Sequence, residues 1–275
     1  MKKKIFLLLS IIVVIVLFYI AVNKIVIHNT IVNQYSQSVY SMPSNNINGV
    51  IYLDNNILQK IDLEIIPICL KDNEISHGIK YRKPVKIIIC KDDQESGKIF
   101  KLFKTKASGF AFSDDLIIVN YVNLHRLGYT FESIIRHESS HTLLKQNIES
   151  FFTKIVTFSN RSLWFSEGFA LYNQGLVIYT KDELRQNIEE FSVVYDNESD
   201  NFGTFPRNNR YDYSLYFYFM DYLIIKYGKD KMLVFLSLMI ENYRSSEKSF
   251  EIVFESTIRR EVLDFLKGSF DKDLI

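Results

Sequence analysis

The sequence predicts an α+β domain with a small N-terminal sheet and a mostly helical C-terminal part, preceded by one transmembrane helix. Three observations lead there. An uncharged run of 18 residues, Ile5 to Val22, follows Lys2, Lys3 and Lys4. Two short strand-like runs, Val85 to Cys90 and Leu116 to Asn120, come next. From Thr130 onward the apolar residues recur at helical spacing.

The N-terminal run is near the length that crosses a bilayer as a helix. A cleaved signal has an apolar region of about 7 to 15 residues and an A-x-A-like site, whereas this run ends in Tyr19-Ile20-Ala21-Val22-Asn23-Lys24. Residues 1–23 therefore read as an uncleaved membrane anchor. The lysine cluster stays inside under the positive-inside rule, opposed only by Lys24 and weak basic content after it, so the rest of a single-pass chain is expected on the extracytoplasmic side of the cell membrane. Residues 24–48, rich in Asn, Ser and Gln and containing Pro43, read as a stalk, and residues 49–275 as one domain.

Composition narrows the function. Apolar residues make up 47% of the chain, enough for a core at this length. Thirty-three basic residues against 32 acidic ones give a net charge of +1, which offers no electrostatic case for a nucleic-acid partner. Most of the 22 Phe and 17 Tyr read as core filling and not as a base-stacking surface.

Within the domain, Ile57, Leu58, Ile61, Ile65, Ile68 and Cys69 have helical spacing, but Pro67 is expected to break or kink any helix there. Pro84 opens the first strand and Ser113-Asp114-Asp115 forms a turn before the second. Helices are expected around 131–145, 163–173, 211–227 and 229–243, with Gly228 separating the last two. Cys69 and Cys90 are the only cysteines. Their even number permits a disulfide outside the cell, yet each sits in an apolar run where a small buried thiol is the commoner outcome.

His137-Glu138-Ser139-Ser140-His141 spells H-E-x-x-H inside the first of these helices, which Thr130 can cap and whose first turn Glu132 suits. A spacing of four puts both imidazoles on one face, within reach of one ion. Glu138 then lies beside the metal and not on it, where it can take a proton from water. An i,i+4 ion pair is not open to it, because residue 142 is Thr. A catalytic zinc takes three protein ligands and leaves a fourth position for water, so a third ligand is required. His28, His77 and His125 stand at no ligand spacing and read as ordinary surface residues.

Residues Trp164-Phe165-Ser166-Glu167-Gly168-Phe169-Ala170-Leu171-Tyr172 resemble the W-x-x-E-G-F-A-x-Y element of gluzincins, most closely the aminopeptidase N family. The resemblance implies Glu167 as third ligand on a second helix, 26 positions after His141, with about 149–160 forming a longer connection. Tyr211-Asp212-Tyr213-Ser214, Asp221-Tyr222-Leu223, Lys226-Tyr227-Gly228 and Ser249 to Phe254 are similar to the downstream helices of the peptidase MA-like group. Ser108-Gly109-Phe110-Ala111 leading into Asp115 to Asn120 resembles its edge strand, and the likeness spans roughly residues 84 to 270.

It implies a zincin-like (gluzincin) catalytic domain in which His137, His141 and Glu167 hold Zn2+ and Glu138 is the general base for hydrolysis of a peptide or protein substrate. A phenol can stabilise the oxyanion that forms. Counting back from Leu223 and Gly228 selects Tyr213, whereas the Y-x-x-S spacing selects Tyr211. An extended substrate is expected to pair with an edge strand at Leu116 to Asn120.

Two departures from the family pattern bear on this. The G-x-M-E-N element that grips a free N-terminus has no match, Ser108 to Phe112 standing in the comparable place, which disfavours an exopeptidase. Leu171 occupies the position four after Glu167, where thermolysin relatives carry an Asp that orients a zinc-bound His. Two other functions share these residues: a zinc-containing binding or sensor module without turnover, against which Glu138 argues, and a metallohydrolase of a non-peptide amide.

Overall fold

The computed structural model describes residues 22, 25–33, 39–41, 50–53, 61–90, 107–126, 128–148, 163–175, 177–186, 209–241 and 246–270. The expected anchor, apart from Val22, and the connection at 149–162 lie outside the described residues. Among the described residues no helix is long and apolar enough to cross a membrane.

Five strands form one sheet: β1 (Val39–Ser41), β2 (Val50–Leu53), β3 (Lys86–Cys90), β4 (Gly109–Ala111) and β5 (Leu116–Asn120), in the order β1-β2-β3-β5-β4. The three middle strands are parallel, and β1 and β4 run antiparallel to their neighbours. The helices are α1 (Ile65–His77), α2 (Tyr121–Arg126), α3 (Phe131–Asn147), α4 (Leu163–Gln174), α5 (Asn209–Tyr227), α6 (Lys229–Glu241), α7 (Ser246–Phe254) and α8 (Ile258–Phe270).

Strands β3 and β5 are buried on both faces. Ile87, Ile89, Ile117 and Val119 meet α1 and α3, while Ile88, Cys90, Leu116 and Ile118 face the opposite way. Double burial is why these strands read as continuous apolar runs without alternation. It also corrects the expected edge: β5 lies between β3 and β4, so the edge strand is β4, Gly109–Ala111. Cys69 and Cys90 are buried and in no disulfide, and they belong to clusters on opposite faces of the sheet, which rules out a bond between them.

Residues 25–33, assigned to the stalk by composition, are helical instead. Ile31 is buried with Ile27 and Val32 beside it, against the face of the sheet opposite α1 and α3. Pro67 does not break α1 either. It is the third residue of that helix, in the first turn, where a backbone N–H has no intrahelical acceptor to lose.

Helices α4 to α8 share an aromatic core. The Trp164 ring centroid lies 5.3 Å from that of Phe219 and 5.7 Å from that of Phe165, with Phe235 and Phe250 close by. Gly228, at φ 84, ends α5 where the sequence placed the stop. The downstream tyrosines clamp this layer: Tyr227 and Tyr222 reach the buried Glu261 carboxylate of α8 at 2.7 and 3.2 Å, and the Lys226 ammonium meets it at 2.7 Å.

Candidate metal centre

Helix α3 starts where the sequence says it should. The Thr130 hydroxyl accepts the Ser133 N–H at 3.0 Å while the Ser133 hydroxyl accepts the Thr130 N–H at 3.1 Å, a reciprocal cap that satisfies two otherwise orphaned donors. Two turns further on, His137 and His141 present their Nε2 atoms 3.2 Å apart. Helix α4 brings Glu167 against both, with carboxylate oxygens 3.3 Å from His137 Nε2 and 3.4 Å from His141 Nε2.

These separations test whether the group fits zinc. Ligand atoms about 2.0 to 2.1 Å from a tetrahedral ion stand roughly 3.3 to 3.4 Å from one another. The three donors have that spacing, and they are the one group of three His, Cys, Asp or Glu able to share an ion among the described residues. The second ring nitrogens, Nδ1 of both histidines, are buried with no hydrogen-bond partner there.

Charge in the triad follows from burial and contact. Burial raises the Glu167 carboxyl, but the charge and hydrogen bonds of the two imidazoles outweigh it and hold the group well below its usual range. Burial lowers His137, and its hydrogen bond to Glu167 with the charges of Glu138 and Glu167 more than reverses this. Protons and a metal therefore compete for the same lone pairs.

Glu138 is buried one residue from the first ligand, and its Oε2 accepts the Ala111 N–H of β4 at 2.8 Å. Such contact requires the edge strand to lie almost on α3. A Cβ at Gly109 would stand 2.7 Å from Ile134 and 2.8 Å from Glu138, so only glycine fits. Sequence reading missed this grip on the carboxylate, although a glycine inside a strand is the signal for close approach.

Gly168 does the same for the other helix. A Cβ there would stand 2.8 Å from the Tyr216 carbonyl oxygen, so α4 and α5 approach backbone to backbone. Tyr213, one turn before Tyr216 on α5, lies near enough to feel the charges of Glu167 and Glu138. The Glu167 charge, burial and then the Glu138 charge all push its phenol up, which keeps it a protonated donor. The side chain of Tyr211 lies outside the described residues.

A family model described as the peptidase MA superfamily matches residues 69–258. The chain belongs to the peptidase MA superfamily. No curated protein matches its sequence. A solved structure of an M1 zinc metallopeptidase from Deinococcus radiodurans, in a point-mutant form, is similar with a TM-score of 0.48 and 10% identity. The likeness covers 86% of this chain and 52% of that one, so the chain spans about half that enzyme's length.

Of the three remaining histidines in this peptidase MA member, one departs from expectation. His28 is half-buried against Asp115 at 3.1 Å and His125 is exposed, but His77 is fully buried behind the metal helix. Its isolation in sequence concealed that.

Proposed function

We propose that this chain is a membrane-anchored zinc peptidase that cleaves peptide bonds within a peptide or protein substrate on the extracytoplasmic side of the cell membrane. The convergence of His137, His141 and Glu167 at tetrahedral spacing, with the Glu138 carboxylate held beside them, carries this reading. Family membership supports the peptidase chemistry. The apolar run at 5–22 behind three lysines supports the anchor and its orientation.

Zinc held by His137, His141 and Glu167 would polarise the scissile carbonyl and lower the pKa of water toward about 7. Glu138 accepts the proton of the attacking water and delivers it to the leaving nitrogen. The Tyr213 O–H donates to the carbonyl oxygen as negative charge builds there. Strand β4, at an edge of the sheet and next to Glu138, is the element with which an extended substrate would pair, replacing the contacts that Glu138 and Lys145 make to the Ala111 backbone. Its residues Gly109, Phe110 and Ala111 bring no charge to grip a free amino terminus, which favours internal cleavage.

A diverse peptide library incubated with the protein should show internal cleavage that a chelator abolishes. Absence of chelator-sensitive cleavage would remove the peptidase reading. On a library peptide that is cut, Tyr213→Phe is expected to lower turnover roughly tenfold to a thousandfold with zinc content unchanged, the range for loss of one oxyanion donor. Tyr211→Phe is the matched control, and a drop confined to it would transfer the role. For the topology, protease added to intact cells should digest the domain; protection alongside a digested external control would reverse the orientation.

A further inference from the structure

We propose that His77 is a positioning residue for the metal centre, a buried imidazole that fixes the distance between the helix bearing His137 and His141 and the helix bearing Glu167. The proposal rests on the zinc reading but concerns a residue outside the triad. His77 is the last residue of α1 and 1% exposed. Its Nδ1 lies 2.8 Å from the Asn73 carbonyl oxygen, which can only accept, so Nδ1 carries the proton. Its Nε2 is then left to accept the Ser140 hydroxyl at 2.9 Å, and Ser140 stands between Glu138 and His141.

The same ring touches the other ligand helix. The Phe169 centroid is 4.4 Å from that of His77, and Asn173 lies beside the ring, both on α4. The Asn173 oxygen in turn accepts the Ser76 hydroxyl of α1. One imidazole thus joins α1, α3 and α4 through two nitrogens and a face. Asn73 secures the α1 side of this joint: its amide donates to the Arg136 carbonyl at 2.8 Å and to the Ser139 hydroxyl at 2.7 Å.

A Ser140–His77 pair could be mistaken for a nucleophile and its base. Burial excludes that, since neither side chain meets solvent. Burial also pushes the imidazole down to about 3, which favours the neutral ring that this bonding pattern requires. Metal affinity requires ligand positions held to about 0.2 Å, which two helices joined only by apolar contact supply poorly. Hydrogen bonds from the end of α1 to Ser140 of α3 and to Asn173 of α4 set one register.

The test uses the full chain and three variants, and reads metal directly. His77→Phe keeps the ring against Phe169 and removes both hydrogen bonds; His77→Gln places an amide near Ser140. Zinc affinity is measured by chelator competition and ligand geometry by the visible spectrum of the cobalt-loaded protein, with circular dichroism for folding. His77→Phe is expected to weaken zinc binding roughly 10- to 100-fold and to shift the cobalt bands, the size of effect of partners behind a metal ligand. His77→Gln should recover most of both.

Wild-type affinity and an unshifted cobalt spectrum in folded His77→Phe would overturn the proposal while leaving the zinc reading intact. A wild-type protein that binds no zinc would overturn both. If His77→Phe does not fold, Ser140→Ala decides, because it removes the partner of Nε2 alone: a shifted cobalt spectrum supports the proposal and an unshifted one overturns it.

Discussion

Glu138→Gln is expected to retain one zinc per chain and a normal fold yet lose roughly 100- to 10,000-fold of turnover, the range of general acid–base catalysis. The substitution keeps size and shape and removes only the ability to accept a proton. The Ala111 N–H, now 2.8 Å from Oε2, can still donate to the amide oxygen, so the side chain is not expected to leave its place. Metal content by elemental analysis and cleavage of a library peptide, measured on one preparation, separate the two effects. In a binding or sensor module without turnover, ligand affinity would barely respond to this change. Wild-type activity in zinc-loaded Glu138→Gln protein would sink the proposed mechanism.

Glu167→Ala carries the second large effect. Removing a ligand should cost more than the roughly 10- to 100-fold in affinity typical of residues behind the ligands. The two histidines remain on one face of α3 but lose the carboxylate whose oxygens lie 3.3 and 3.4 Å from their Nε2 atoms. In the metal-free protein the same change removes the contact that holds His137 above its ordinary value, so burial should pull it down. Competition with a chelator reads the first consequence and an NMR titration of His137 the second. Unchanged zinc affinity would show that the third ligand lies elsewhere.

Local signals in the sequence were sufficient wherever the structure depends on neighbours a few residues apart. Thr130 caps α3 as its side-chain chemistry requires, and Gly228 ends α5 by adopting a conformation other residues avoid. The four-residue spacing of His137 and His141 dictated that both face one ion, because a helical turn is 3.6 residues. Glu167 was found by a resemblance to a known element, and the fold brings it across 26 positions to within bonding range.

Only tertiary structure decided what depends on which elements touch. Leu116 to Asn120 is a strand in either view, but its place inside the sheet depends on β4 folding back over it, and an apolar run records burial without naming the neighbours. Residues 24–48 read as a polar stalk taken together, yet within 25–33 packing buries Ile31 with Ile27 and Val32 beside it. Pro67 reads as a helix breaker until the helix start is known, since its missing N–H matters only beyond the first turn. His77 looked incidental because its contacts on α3 and α4 lie 63 and 96 positions away, and a contact across such a distance leaves no periodic trace. The sequence by itself placed His137 and His141 on one helix face with Glu138 beside them, through spacing, and a resemblance pointed to Glu167; the fold decided the edge strand, the grip on Glu138 and the burial of His77, because these arise from long-range contact.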